Sequence, residues 1–462
     1  MKWNKLAAIF LMAAVSAAAA ADQESSPPDR LLLLAVDAVP FSVAEELTQG
    51  AARRGEPTIF KEFKGPARLI STFPSFTTIA FSGILQPLGI GSAPGYEARF
   101  FDVAMNRKRG AGARSYYEIP FPWRDFFDWK IKSFLFKGLG YLSPDRVTRH
   151  ELRESFAAFA ASNSTRFSIY IGNSDTVAHM SGRPGIRNVF VQLDETLTRF
   201  KAEHPGLKFT TVMFSDHGMS DEGHLINVRT DVRRALRQAG FRVGRSLNKE
   251  KSAVTVPFGL ISNGAVFTSA GHEAEAAAAL CRVPAVDLCV WRAGSGWRVR
   301  NAEGAASIVR ERRNGVDWWS YVPEDADPLG YEPVIAELQR RAGAAADGYF
   351  PDDWWFEATA AHRYPDGLYR LAQSFTLVRN PASVEFSLKA GHMHGALKTK
   401  MGAAVSVGRL GGTHGALLAE PSLGFMMSDA AEWQPPFAVR YDKALLPFAR
   451  AWAERGGQAP VR

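Results

Sequence analysis

Three apolar runs that each end in a carboxylate constrain this chain more than any other feature. LLLLAVDAVP closes on Asp37, RFSIYIGNSD on Asp175, and KFTTVMFSDHG on Asp216 with His217 directly after it. Runs of this kind, without polar alternation, read as strands buried on both faces, the situation in a parallel sheet covered by helices. Open α/β sheets bind ligands along the carboxyl ends of their strands. Asp37, Asp175, Asp216 and His217 are therefore expected on one rim. Helical patterns fill the intervals: SVAEELTQGAARR follows the first run, PDRVTRHELRESFAAFAA precedes the second, and RNVFVQLDETLTRFKAEH separates the second from the third. In the last of these, Val189, Leu193, Thr196, Leu197 and Phe200 fall mainly on one helical face. Strands alternating with amphipathic helices predict a layered α/β domain with a largely parallel sheet.

A chain of 462 residues suits one large domain plus an insert, or two or three smaller domains, at roughly 150 residues each. The texture changes from about residue 250 to 360, where Cys281 to Val299 reads as short strands and RNAEGAASIVRERRNGVDWWSYVPEDADPLGY as turns and hairpins. The predicted organisation is a catalytic α/β core over residues 30–250, an inserted smaller α+β subdomain over 251–360, and a return to the core over 361–455. That last part supplies a His-bearing turn, GGTHG, with His414.

The start, MKWNKLAAIFLMAAVSAAAAADQ, has Lys2 and Lys5 ahead of an apolar stretch from Leu6 to Val15 and then small residues. It reads as a secretory signal peptide over residues 1–21, because the apolar part falls short of the roughly 20 residues a spanning helix needs. The expected location is periplasmic or secreted, with no membrane span. In such a compartment Cys281 and Cys289, eight positions apart, are expected to form a disulfide, two buried thiols being the alternative. The formal charge of +8 comes from 55 basic against 47 acidic residues. Clusters such as Arg107-Lys108-Arg109 and Arg310-Glu311-Arg312-Arg313 are short and lack interleaved aromatics. They read as solvated surface, and no nucleic-acid polymer is expected as a partner.

Zinc takes about four ligands, favours imidazole nitrogen and carboxylate oxygen, and keeps a position open in catalytic sites. The strand ends offer Asp37, Asp175, Asp216 and His217; the spacing D-x-x-x-H adds His179 on the same side of a helical turn or compact loop, and GGTHG adds His414. These six residues suffice for two divalent ions. Each alone has a plainer reading, since a strand-ending Asp commonly caps a helix or forms a turn, and Asp216-His217-Gly218 could cap a following helix. Their joint occurrence at strand termini carries the metal reading. The chemistry also needs a hydroxyl that a metal ion can render nucleophilic. STFPSFTTIAFSGIL places Thr72 before Phe73-Pro74, predicting a helix start with Thr72 at its N-cap, where the dipole and free N–H groups favour an alkoxide and a phosphate. Ser71 and Ser75 are alternatives, His392 and His394 compete with His414, and His224 is a candidate behind the ligands. His362 and Trp318, Trp319, Trp354 and Trp355 either line a substrate cleft or pack in a core.

STFPSFTT, LLAVDAVP, IYIGNSDTVAHMSG, FSDHGMS and GGTHG together resemble the type I phosphodiesterase/nucleotide pyrophosphatase family of the alkaline phosphatase superfamily, over residues 31 to 230 and 385 to 430. The resemblance implies an alkaline-phosphatase-like three-layer α/β/α sandwich and a hydrolase acting on phosphodiester or pyrophosphate bonds of a small phosphorylated substrate. It implies two divalent ions, zinc ahead of manganese, with Asp175, His179 and His414 around one and Asp37, Thr72, Asp216 and His217 around the other. Thr72 would carry a covalent intermediate. The family's phosphate-binding Asn has no direct counterpart in LGIGSAPGYEARFFDVAMN, and Asn106 is the candidate substitute. Phe76 stands where many members have His, and Ser82-Gly83 lies one position farther from Thr72 than the family spacing. A phosphomonoesterase on the same two-metal site and a catalytically inactive exported binding protein are the alternatives. A sulfatase is disfavoured, because no Cys or Ser stands in a CxPxR-like setting.

Overall fold

The structure, a computed structural model, describes residues 29–54, 58–110, 121–132, 140, 143–222, 224–345, 347–396 and 411–456. The signal peptide predicted over residues 1–21 lies outside them.

The three apolar runs form adjacent strands. Arg30–Val36 is flanked on one side by Arg166–Ile171 and on the other by Phe209–Phe214, both parallel to it. The sheet continues through Leu423–Ser428 and Lys64–Ile70 to Ala438–Arg440, making six strands. Only Leu423–Ser428 runs against its neighbours, so the sheet is largely parallel.

Burial on both faces is visible in the alternation of one strand. Leu31, Leu33 and Ala35 pack with Ile79, Phe81 and Ile84 of the helix Thr77–Ile84 and with Phe448 and Trp452 of the helix Leu446–Arg455. Leu32, Leu34 and Val36 face the other way, onto Leu152, Phe156 and Phe159 of the helix Pro144–Ala161 and Val189, Leu193 and Leu197 of the helix Asn173–Glu203. Helices thus cover both faces, and the architecture is the predicted three-layer α/β/α arrangement.

The predicted insert is part of something larger. A second, mainly antiparallel sheet has nine strands, beginning at Arg242–Val243 and closing with Val384–Leu388, which sits between Asn263–Thr268 and Val286–Ala293. The sheet draws on residues either side of 251–360, because strand pairing joins segments distant in sequence that a change of local texture does not reveal. Trp319 and Trp355 are buried in the core beneath it, while Trp318 and Trp354 carry Arg313 and Arg341 over their rings at 4.9 and 4.0 Å.

Cys281 and Cys289 are neighbours, as expected, but as free buried thiols with sulfurs 3.2 Å apart rather than a disulfide. Burial pushes the Cys289 thiol well up, which disfavours the thiolate through which oxidation proceeds. Among the described residues, no helix is long and apolar enough to cross a membrane.

Glu385 is buried in the middle of the nine-stranded sheet, its Oε2 accepting a hydrogen bond from Asn263 Nδ2 at 3.2 Å. Burial pushes its carboxyl up to about 8. The folded chain therefore holds this proton more tightly than the unfolded chain, and its contribution to stability falls as pH rises from the ordinary carboxylate range to about 8. Glu385→Gln is expected to flatten that part of the pH–stability curve in urea unfolding. An unchanged slope would place the titrating group elsewhere.

Candidate metal centre

Each member of the site is delivered by the end of a regular element. Asp37 follows Val36 directly, and its N–H still bonds to Ile171 O at 3.0 Å. The chain then turns through Ala38, whose φ of 58° is left-handed, and the Ala38 and Val39 N–H groups donate to Asp216 Oδ1 at 3.3 Å and Ser215 Oγ at 2.8 Å. Two strand ends are thereby stitched together. Asp175 and His179 lie one turn apart at the start of the helix Asn173–Glu203, where the spacing places them on one side. That helix is broken at Gly182, with φ 57°; a Cβ there would lie 2.7 Å from Asp221 Oδ1.

His414 arrives by a different route. No helix follows Asp216-His217-Gly218; instead Ser220–Asp221 pairs antiparallel with Gly412–Thr413. This short ribbon sets the His414 ring parallel to that of His217, with centroids 4.0 Å apart.

The orientation of the three imidazoles defines the site. His179 Nδ1 meets Gly412 O at 2.9 Å, His217 Nδ1 meets Gly218 O at 2.8 Å, and His414 Nδ1 meets Ser75 O at 2.7 Å. A carbonyl only accepts, so each neutral ring carries its proton on Nδ1 and presents the Nε2 lone pair inward. What those lone pairs face is carboxylate oxygen. His179 and His414 Nε2 lie 3.4 and 3.6 Å from Asp175 Oδ1, and His217 Nε2 lies 3.5 Å from both Asp37 Oδ1 and Asp216 Oδ2. The same three oxygens are buried without a hydrogen-bond partner.

Lone pairs converging in a buried place repel unless a cation lies between them. Separations near 3.5 Å are long for hydrogen bonds but match the ~3.4 Å expected between two ligands of one tetrahedral zinc with 2.0–2.1 Å bonds. The residues therefore fit metal ions. Asp37, Asp216 and His217 form one group of mutually close ligand atoms and Asp175, His217 and His414 another, with His179 joining through Asp175. Electrostatics agrees. Burial, then the charges of Asp216 and Asp175, pushes Asp37 well up, and burial raises Asp216. Burial, then His217 and His179, holds His414 well below the usual imidazole range. A divalent cation would oppose the two carboxyl shifts, and the His414 shift favours the neutral imidazole that ligates metal. Tyr170, which nothing in the sequence singled out, donates its hydroxyl to Asp37 Oδ2 and fixes the second oxygen.

The hydroxyl expected at Thr72 is placed differently. The helix begins at Thr77 with Phe76 at its N-cap, so Thr72 is not the cap. Phe73–Pro74 belongs to a non-helical turn, closed by the Phe76 N–H on Pro74 O at 3.0 Å. Thr72 is fully buried and its hydroxyl donates to Pro74 O at 2.7 Å. Ser75 serves His414 through its carbonyl and accepts the Gly415 N–H on Oγ at 2.9 Å. The hydroxyl that reaches the cluster is Thr77, with Oγ1 3.4 Å from His217 Nε2. Thr77 and Asp175 are the partly exposed members of the assembly, marking the side open to solvent. The signal for Thr77 was the doubled Thr ahead of the apolar run IAF, masked by the stronger Pro cue.

Asn106 is tied elsewhere, its amide bonding Asn248 Oδ1 and the Leu247 N–H, each at 2.7 Å. His394 is buried against Phe386, His392 bonds Ala390 O, and His224 is exposed; none of them joins either ligand group. His362 packs on Tyr331 and joins neither ligand group.

His217 and His179 each offer one Nε2 lone pair, next to Asp37 and Asp216 in the first case and next to Asp175 in the second. Each single Ala substitution is therefore expected to lower the bound transition metal and the double substitution to lower it further, measured by elemental analysis of the purified proteins. A double variant that loses no more than either single one would place both histidines on the same ion.

The sequence matches no protein-family model and no curated protein. Among solved structures, the chain is similar to murine ectonucleotide pyrophosphatase/phosphodiesterase 5, with a TM-score of 0.47 and 12% identity over 94% of this chain and 96% of that one. It is similar to the human protein of the same name, with a TM-score of 0.46 and 12% identity over 92% and 94%. A third similar structure is phosphonoacetate hydrolase from Sinorhizobium meliloti 1021 in complex with phosphonoacetate, with a TM-score of 0.46 and 12% identity over 91% and 94%.

Proposed function

We propose that the chain is a metal-dependent phosphoesterase that hydrolyses phosphodiester or pyrophosphate bonds of a small substrate through a covalent intermediate on a threonine. The observation that carries this reading is the convergence of three Nε2 lone pairs and three unpartnered carboxylate oxygens beside a hydroxyl at a helix start. Asp37, Asp216 and His217 would hold one divalent ion and Asp175, His179 and His414 the other, with zinc suiting this donor set best. Such ions neutralise phosphate oxygens and stabilise the attacking and leaving oxygens of an in-line displacement.

We assign the nucleophile to Thr77 in place of Thr72. Thr77 Oγ1 bonds to phosphorus while the ester bond opposite breaks; the hydroxyl proton goes to solvent and the leaving oxygen departs as an alcohol or phosphate. Water then cleaves the phosphothreonine and restores the hydroxyl. The first helical N–H with an acceptor in the same helix is that of Ala80, on Phe76 O at 2.8 Å, so the N–H groups before it are oriented to receive phosphate oxygens. With Asn106 engaged elsewhere, these N–H groups are the donors that replace the family's Asn.

Two substitutions separate the threonines. Thr77→Ala is expected to lower turnover on the order of a thousandfold or more with metal content retained. Thr72→Ala, which removes one internal hydrogen bond, is expected to stay within about tenfold of the parent. The reverse ranking would return the nucleophile to Thr72.

Substrate preference distinguishes the diesterase from a phosphomonoesterase with the same metals. Bis(p-nitrophenyl) phosphate is expected to be turned over in preference to p-nitrophenyl phosphate, and a clear preference for the monoester would overturn the diesterase assignment. The signal-like leader supports export to the periplasm or medium.

A further inference from the structure

Arg370 lies in the helix Gly367–Gln373 and is fully buried. Among the described residues it forms no ion pair; the carboxylate of nearby Asp366 is taken by Arg440. The Arg370 guanidinium is instead surrounded by oxygen from separate stretches of chain. Nη1 donates to Pro365 O at 3.0 Å and Leu417 O at 3.1 Å, and Nη2 donates to Thr72 O at 3.0 Å and Ser422 Oγ at 2.5 Å. An unpaired buried cation is costly to desolvate, and carbonyl dipoles compensate for it only while their geometry is held.

The identity of two of those carbonyls gives the contact its meaning. Three residues past Thr72, Ser75 accepts the His414 Nδ1 proton on its carbonyl and the Gly415 N–H on its hydroxyl; three residues past His414 comes Leu417. One rigid fork thus grips both segments that meet at the Ser75–His414 contact. The first segment continues through Phe76 into Thr77. Arg440 braces the same place from the neighbouring strand, since it pairs with Ile70, two residues before Thr72, while its guanidinium binds Asp366 and Asp352.

We propose that Arg370 is a positioning residue for the metal centre, fixing the spacing between the Thr72–Thr77 segment and the His414 turn, and through it the placement of the Thr77 hydroxyl against the imidazoles. The proposal rests on the threonine phosphoesterase reading for its kinetic consequence, though not for its structural one. A guanidinium suits the task because its planar fork reaches two carbonyls in fixed relative position, which an ammonium does not. Misplacement of a reacting group by an ångström costs about a hundredfold in rate.

The test uses the full-length, zinc-loaded protein and its Arg370→Lys and Arg370→Met variants. With bis(p-nitrophenyl) phosphate, Arg370→Met is expected to lose about a hundredfold in kcat with KM little changed and zinc retained, and Arg370→Lys to recover part of the loss. The second readout is the downfield proton resonance of His414 Nδ1–H, assigned by its absence in His414→Gln. It is expected to shift or broaden in both Arg370 variants, while those of His179 and His217 stay in place. Parent-like kcat together with an unmoved His414 resonance in a folded variant overturns the proposal. Should Arg370→Met not fold, Arg370→Lys, which keeps charge and length, decides it by the same two measures. If Thr77→Ala and Thr72→Ala both remain active, the nucleophile reading fails, and the His414 resonance alone then supports or overturns the clamp.

Discussion

Everything in this molecule is arranged around an unfavourable convergence: imidazole lone pairs and carboxylate oxygens brought within about 3.5 Å of one another at the end of a sheet. The arrangement persists because each ring is pinned from behind. Nδ1 of every one of the three histidines is committed to a backbone carbonyl, so a ring cannot turn to relieve the repulsion without losing a buried hydrogen bond. The protein is preorganised for a cation in the strict sense that its own groups hold the repelling geometry in place.

The two large sheets contribute unequally. The six-stranded sheet supplies Asp37, Asp216 and His217 from strand ends, and the helix after Arg166–Ile171 supplies Asp175 and His179. The nine-stranded sheet supplies no ligand, yet it shapes the site. Just before its strand Asn263–Thr268, Ile261 bridges His414, and the Ser262 N–H donates to His414 O at 2.7 Å. Gly415, at φ 105°, leaves no space for a Cβ, which would lie 2.5 Å from the Phe76 ring. The His-bearing turn is thus clasped between the segment before Asn263–Thr268 and the segment leading to Thr77, with Arg370 joining the turn to the latter.

Much of the fold was legible in advance because burial imposes composition. A central parallel strand must be apolar on both faces, so LLLLAV, RFSIYI and KFTTVMF announce themselves, and the polar residue that ends each run marks the rim. Asp37, Asp175, Asp216 and His217 follow from that reasoning, His179 from the D-x-x-x-H spacing and His414 from the GGTHG turn, and the structure brings all six together. The second sheet was legible only as a change of texture, since Val384–Leu388 joins strands far from it in sequence. The tautomer-fixing carbonyls of Gly412, Gly218 and Ser75 were invisible for a related reason: a backbone acceptor leaves no mark on residue identity.

The sequence by itself determined the donor chemistry, because only certain side chains bind metal and their order along buried strands is written in residue types. Tertiary structure alone decided which hydroxyl meets those donors. Thr72 and Thr77 carry the same group five positions apart, and local rules favoured the first through its proline. The folded chain buries Thr72 under Pro74 and starts its helix at Thr77, whose Oγ1 approaches His217. Its neighbour across the site, His414, is held by Ser75, and the Thr72 backbone by Arg370. Helix starts are settled by such long-range partners as much as by local propensity, and those partners exist only once the distant segments have met.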